Sequence, residues 1–171
     1  MLIPLRNYSN YSICESNIKI DDLVNFAENE KLPAMALTDY KLLSGALEFS
    51  TKCKKKGIQP IIGLDVDFIS KLKHKSRLTF LCKNEIGFKN LNILSTKINT
   101  ENEFNLSLDN IKNFSDGNIL ILGGLFSYFQ DLNVNSRNLK IINDEITTLK
   151  NYFKNDIFFE FDENIDNKLL N

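Results

Sequence analysis

At 171 residues, with 43% hydrophobic and 25% charged side chains, the chain is long enough to bury one substantial core and too apolar to be a disordered segment. Its 21 basic and 22 acidic residues leave a net charge of −1, which excludes a global electrostatic footprint for nucleic acid, so any such contact has to be local. No apolar run approaches the ~20 residues of a membrane span, and the apolar start is too short for a secretion signal.

Taken in order, residues 1–5 read as a short apolar strand. Residues 20–30 read as a helix, because Ile20, Leu23, Val24 and Ala27 recur at three- and four-residue steps. Pro33 breaks the chain, and residues 34–37 form a short run of buried-strand type. A second helix is expected over 43–56, with Leu43, Ala46, Leu47 and Phe49 near one side and lysines at its negative end, closed by Gly57 at C′. Residues 58–68 contain the next strand. The lysine-rich stretch 70–76, which holds the single histidine, His74, reads as a solvated loop or a basic hairpin tip.

Residues 78–82 are strand-like. Residues 85–98 are helical, with Phe88, Leu91, Leu94 and Ile98 in step, and 99–105 read as a loop. Residues 118–122 form a strand that runs into Gly123 and Gly124. A helix over 139–153 and a strand over 157–161 follow. This alternation predicts an α/β fold with a largely parallel sheet, closed into a barrel or left as an open layer. No repeat or linker divides the chain, so residues 1–171 read as one domain. Cys14, Cys53 and Cys82 lack ligand spacing and read as reduced, buried thiols of a cytoplasmic protein. There is no GxGxxG or GxxxxGK[ST], no Gly-x-Ser-x-Gly, and no motif histidine for a nucleophile triad.

Two segments carry a family resemblance. Residues 4–15 (PLRNYSNYSICE) resemble the pattern H-x-H-S-x-Y-S-x-x-D. Residues 33–40 (PAMALTDY), 45–49 (GALEF) and 56–65 (KGIQPIIGLD) resemble A-x-T-D-H, G-A-x-x-F and K-x-G-I-x-P-I-x-G-x-E. Residues 84–91, 116–124 and 158–161 fit in the same order. The chain thereby resembles the N-terminal PHP domain of bacterial DNA polymerase III alpha subunits. The resemblance implies a distorted, TIM-like β/α barrel whose later strands lie beyond residue 171. It also implies a parent chain that carries out DNA-templated DNA synthesis in replication with Mg²⁺, on domains outside these residues. A separate proofreading exonuclease and other replicase subunits are the implied partners, and DNA is met through the parent chain; no membrane is involved.

In active members of that family, histidines and carboxylates hold several metals, which activate water at a phosphate ester. Here the H-x-H positions are Arg6 and Tyr8, and the T-D-H histidine is Tyr40. Arginine stays protonated and cannot be a ligand. Carboxylates persist as Glu15, Asp39 and Asp65, which are at most weak metal candidates. The expectation is that Arg6 replaces a metal cation, neutralising Asp39, Glu15 or Asp65, while Tyr8 and Tyr40 donate hydroxyls to the same cluster. Neither a catalytic residue nor a bound metal or other cofactor is expected here, and the domain is read as structural and partner-docking. The competing function is an active metal-dependent phosphoesterase or 3′–5′ proofreading nuclease. A stand-alone phosphatase of the histidinol-phosphatase kind is disfavoured by the polymerase-type stretches. Ordinary roles compete too: Asp39 could cap a helix, the tyrosines could be half-buried packing, and Gly45, Gly57 and Gly63 could serve turns or close packing.

Overall fold

The computed structural model describes residues 2–102, 104–123 and 136–160. The first helix, α1 (Ile20–Asn29), buries all four of its stepped apolar residues. They pack on β1 (Ala34–Leu37), whose four residues are all buried, and on Phe49 and Cys53 of α2 (Ala46–Lys55). Helix α2 starts three residues later than the sequence predicts, with Gly45 at the cap and no side-chain cap bond, so Asp39 does not cap it. Its apolar face is Ala46, Phe49 and Cys53, while Leu47 is exposed. Gly57 takes the left-handed conformation (φ 71°) expected just beyond the helix end.

Strand β2 (Gln59–Ile69) runs parallel to β1 and antiparallel to β3 (Lys75–Cys82). Helix α3 (Glu85–Thr100) follows, then the two-residue β4 (Leu106–Ser107) beside the end of β2, and a 3₁₀ turn over Ile111–Phe114. Strand β5 (Asn118–Gly123) is antiparallel to β3, and β6 (Ile157–Glu160), which follows α4 (Ser136–Phe153), is parallel to β5. The order is β1-β2-β3-β5-β6. The sheet is therefore mixed, where the sequence reading made it largely parallel. The connection decides this: the few residues between β2 and β3 can close an antiparallel hairpin but cannot supply the crossover a parallel pair needs. The basic stretch at 70–74 is the tip of that hairpin, closed by Ser70 N–H to His74 O at 3.0 Å.

Three further expectations change. Residues 2–9 form no strand. They run beside β1 with isolated bonds, Ala36 N–H to Pro4 O at 3.2 Å and Thr38 N–H to Asn7 O at 2.9 Å. Pro4 has no N–H to extend a ladder, and the Asn7 amide bonds Pro4 O and Ala36 O instead. Residues 99–100 belong to α3 and not to a loop. Cys14 is exposed on a surface turn, whereas Cys53 is buried and Cys82 half-buried. Gly124 and Phe161 lie outside the described residues.

Side-chain alternation splits the sheet into two faces. Leu64, Val66, Phe68, Leu78, Phe80, Leu120 and Leu122 pack against Leu91 and Leu94 of α3 and Leu149 and Phe153 of α4. The opposite parity, with Gly63, Asp65 and Asp67 on β2, faces the hollow of the curled sheet. Gly63 is needed for close approach: a Cβ there would lie 2.4 Å from the Phe80 carbonyl and 2.8 Å from Thr38 Cγ2. Gly63→Ala is expected to cost about 1–3 kcal/mol through overpacking. A lower urea midpoint at unchanged slope is the reading; an unchanged midpoint would refute the close packing.

Candidate functional site

The register of the β2–β3 hairpin sets Asp65 opposite Thr79 and Asp67 opposite Arg77, all four on the hollow face. Asp65 is fully buried. Thr79 Oγ1 donates to its Oδ1 at 2.8 Å, and the Tyr8 hydroxyl donates to its Oδ2 in a short bond. Arg6 Nη2 reaches the same carboxylate at 3.2 and 3.4 Å, its Nε donates to the Tyr8 oxygen at 3.2 Å, and its Nη1 bonds Glu160 of β6 at 2.9 Å. The strandless N-terminal segment is thus pinned across the hollow, between β2 and β6.

A second cation stands beside the first. Arg77 makes a two-pronged pair with Glu15, comes within 3.9 Å of Asp65 Oδ2, and lies 4.1 Å over the Tyr40 ring. Tyr40 donates its hydroxyl to Asp67 at 2.6 Å, and Asp67 also pairs with Lys41 at 2.6 Å and Lys75 at 3.0 Å. Asp39, 1% exposed, belongs to neither group. It accepts from Ser9 N–H and Ser9 Oγ at 2.7 Å and from Ser12 Oγ at 2.6 Å, and Ser12 Oγ accepts from Tyr40 N–H at 2.9 Å. That buried knot folds the turn after the N-terminal segment onto the end of β1.

Of the six residues singled out from sequence, Arg6, Tyr8 and Asp65 meet directly. Glu15 and Tyr40 join them through Arg77, and Asp39 is held apart by serines. Arg6 therefore neutralises Asp65 and neither Asp39 nor Glu15, and Tyr40 bonds Asp67 and not the Arg6 cluster. The sequence reading missed Arg77, Asp67, Thr79 and Glu160. Parity could have found three of them: Arg77 and Thr79 alternate with Leu78 and Phe80, and Asp67 is two residues beyond Asp65.

The charges respond to this packing. Burial opposes the charge on Arg6, but Asp65, Tyr8 and Glu160 outweigh it and raise its pKa further. Burial, then the Asp65 charge, pushes Tyr8 up to about 12, so it is a neutral donor and not an anionic ligand. Burial also raises Asp65, against the pull of Arg6, Tyr8 and Thr79. Hydrogen bonds from Arg77 lower Glu15. Asp67 is lowered as well: burial pushes it up, but Lys41, Tyr40 and Lys75 prevail.

Below this polar mouth the hollow turns apolar. A groove of about 780 Å³ is lined by Ile61, Leu81, Ile119, Ile121 and Phe158, with Arg6 and Glu160 at its rim. Among the described residues, no group of three or more His, Cys, Asp or Glu side chains is placed to hold a metal ion.

Residues 4–164 match the family described as PHP domain. The chain belongs to the PHP family. This PHP chain is 35% identical over 171 residues to the DNA polymerase III subunit alpha of Chlamydia pneumoniae, a match that covers 92% of this chain and 14% of that protein. It is 41% identical over 109 residues to the subunit of the same name from Chlamydia trachomatis, covering 58% of this chain and 9% of that one. Against the Borreliella burgdorferi subunit it is 29% identical over 174 residues, covering 92% and 15%. The chain therefore spans about a seventh or less of the length of these relatives. Among solved structures it resembles an amidohydrolase from Chromobacterium violaceum, with bound sulfate and no metal, at TM-score 0.57 and 11% identity, over 85% of this chain and 74% of that one. A putative metal-dependent phosphoesterase from Bifidobacterium adolescentis aligns over the same shares at TM-score 0.57 and 10% identity. At that identity the two share the fold of this PHP domain, consistent with a distorted barrel of which these strands form part.

The lowered carboxyls give a pH dependence with a definite sign. Glu15 and Asp67 ionise below the ordinary carboxylate pKa of about 4, so their stabilisation is full above that value and is lost as pH falls through their native values. Asp65, raised, works in the opposite sense. Glu15→Gln/Asp67→Asn is expected to flatten the fall of the urea midpoint as pH drops below about 5; parallel curves for variant and parent would contradict the assignment.

Proposed function

We propose that this chain serves as the PHP region of a replicative DNA polymerase alpha subunit, acting as a structural and partner-docking domain without phosphoesterase chemistry of its own. The observation that carries the reading is the Arg6 guanidinium, held among Asp65, Glu160 and the Tyr8 hydroxyl. A side chain that stays protonated stands at the motif position of a family histidine, and its Nη1 and Nη2 groups take oxygens of Glu160 and Asp65 that a metal would need, while Nε bonds the Tyr8 hydroxyl. These residues do not fit a polynuclear metal centre. Tyr8 is neutral, Asp65 is bonded by three partners, and Arg77 adds a second positive charge against any incoming cation.

What the cluster does instead is mechanical. It ties the N-terminal segment to three strands, β2, β3 and β6, with no exchangeable ion. On this reading the parent chain performs template-directed nucleotidyl transfer with Mg²⁺ on domains outside these residues. The domain would meet a proofreading exonuclease and other replicase subunits in the cytoplasm, with DNA reached through the parent chain. The remnant set is Arg6, Tyr8, Glu15, Asp39, Tyr40 and Asp65, of which none is catalytic. The competing reading, an active phosphoesterase or 3′–5′ nuclease, would need the ligands that Arg6, Tyr8 and Tyr40 replace.

Thermal melting with metal and with chelator separates the two. A site with a dissociation constant near ~10 μM would add about 2.7 kcal/mol at ~1 mM Mn²⁺. The expected result is no shift in Tm with Mn²⁺ or EDTA, and metal well below one equivalent after dialysis. A Mn²⁺-dependent rise in Tm, or near-stoichiometric bound transition metal, would overturn the reading.

A further inference from the structure

The β2–β3 hairpin continues past Asp67 and Arg77 to a tip that borders β4 and α4. Its tip is locked at the base and charged at the end. Ser70 is 4% and Ser76 3% exposed. His74 N–H donates to Ser70 Oγ at 3.1 Å, Lys73 N–H to Ser70 O at 2.9 Å, and Lys71 N–H to Glu145 of α4 at 3.3 Å. Lys71, Lys73, His74 and Lys75 are all exposed. Lys75 and Lys41 share one carboxylate, Asp67. Among the described residues, the ammonium groups of Lys71 and Lys73 have no ion-pair or hydrogen-bond partner. Four lysines thus stand against Asp67 and the buried Glu145, on a chain whose net charge is −1.

We infer that this hairpin tip is a sequence-independent contact for the phosphate backbone of nucleic acid, made by Lys71 and Lys73 with Lys75 beside them. Exposed ammonium groups on a fixed turn suit phosphates as point charges. The tip, residues 70–75, holds no Phe, Tyr, Trp, Arg, Asn or Gln to read a base, and its one ring is the imidazole of His74. The contact is weak and depends on counterion release. The choice of nucleic acid over another polyanion rests on the polymerase reading above.

The test is fluorescence anisotropy of a labelled single-stranded DNA of about 20 nucleotides, titrated with the whole chain from ~20 mM salt upward. Three phosphate contacts give a slope of log affinity against log salt of about −2, at about −0.7 per contact. Lys71→Gln/Lys73→Gln is expected to bring it to about −0.7 for every oligonucleotide sequence alike. Absence of salt-dependent binding, or an unchanged slope in the double variant, would overturn the inference. So would lysine-dependent binding to phosphatidylserine vesicles without binding to the oligonucleotide, which would make the tip a membrane contact. Neither lysine touches the Arg6 cluster, so the metal insensitivity of Tm tests the polymerase-domain reading independently of these outcomes.

Discussion

A single buried carboxylate organises the hollow of this domain. Asp65 has no exposed surface, and an ionised carboxylate removed from water is tolerated only when opposite charge and hydrogen bonds surround it. Strand β3 supplies the Thr79 hydroxyl through the hairpin register. The N-terminal segment supplies Arg6 and Tyr8, from a stretch that forms no strand and is otherwise held by isolated bonds beside β1 and by the Ser9–Asp39 contact. Burial lifts the Asp65 pKa against the pull of Arg6, Tyr8 and Thr79. The position of the N-terminal segment, the contact to β6 through Glu160, and the placement of Arg77 all follow from where that carboxylate is.

The same parity that aims Asp65 into the hollow aims Leu64 and Val66 at the helices, so the site and the core are two faces of one strand. The family resemblance and the solved neighbours concern that scaffold. Solved neighbours at 10–11% identity share the fold. A shared fold does not by itself fix the chemistry at its mouth. In this chain the mouth holds guanidiniums and phenols, and an apolar groove continues beneath it.

Much of this was legible in the sequence, for physical reasons that name its limits. Helix α1 was readable because its apolar residues follow one period, and strand β1 because it is a short unbroken apolar run after Pro33. Arg6, Tyr8 and Asp65 were readable because motif positions pointed to them. The antiparallel course of β3 was obscured because strand character says nothing of direction; only the short 70–74 connection carried that information. The Glu15–Arg77 pair joins residues 62 apart, and no local pattern encodes it. Asp39 looked like a site carboxylate or a cap, and it is instead satisfied by Ser9 and Ser12. The first five residues looked like a strand by apolarity alone, yet Pro4 removes a ladder donor.

The central claim is that Arg6 and Asp65 compensate each other, and a double-mutant cycle on folding stability measures this most directly. Arg6→Met should cost about 3–5 kcal/mol, because it takes the close cation from the buried Asp65 carboxylate, and Asp65→Leu should cost less, because Arg6 keeps Glu160 and Tyr8. The double variant should cost markedly less than the sum, with a coupling of at least about 2 kcal/mol. Costs that add to within about 0.5 kcal/mol would mean that the two charges do not depend on each other, and the account would fail.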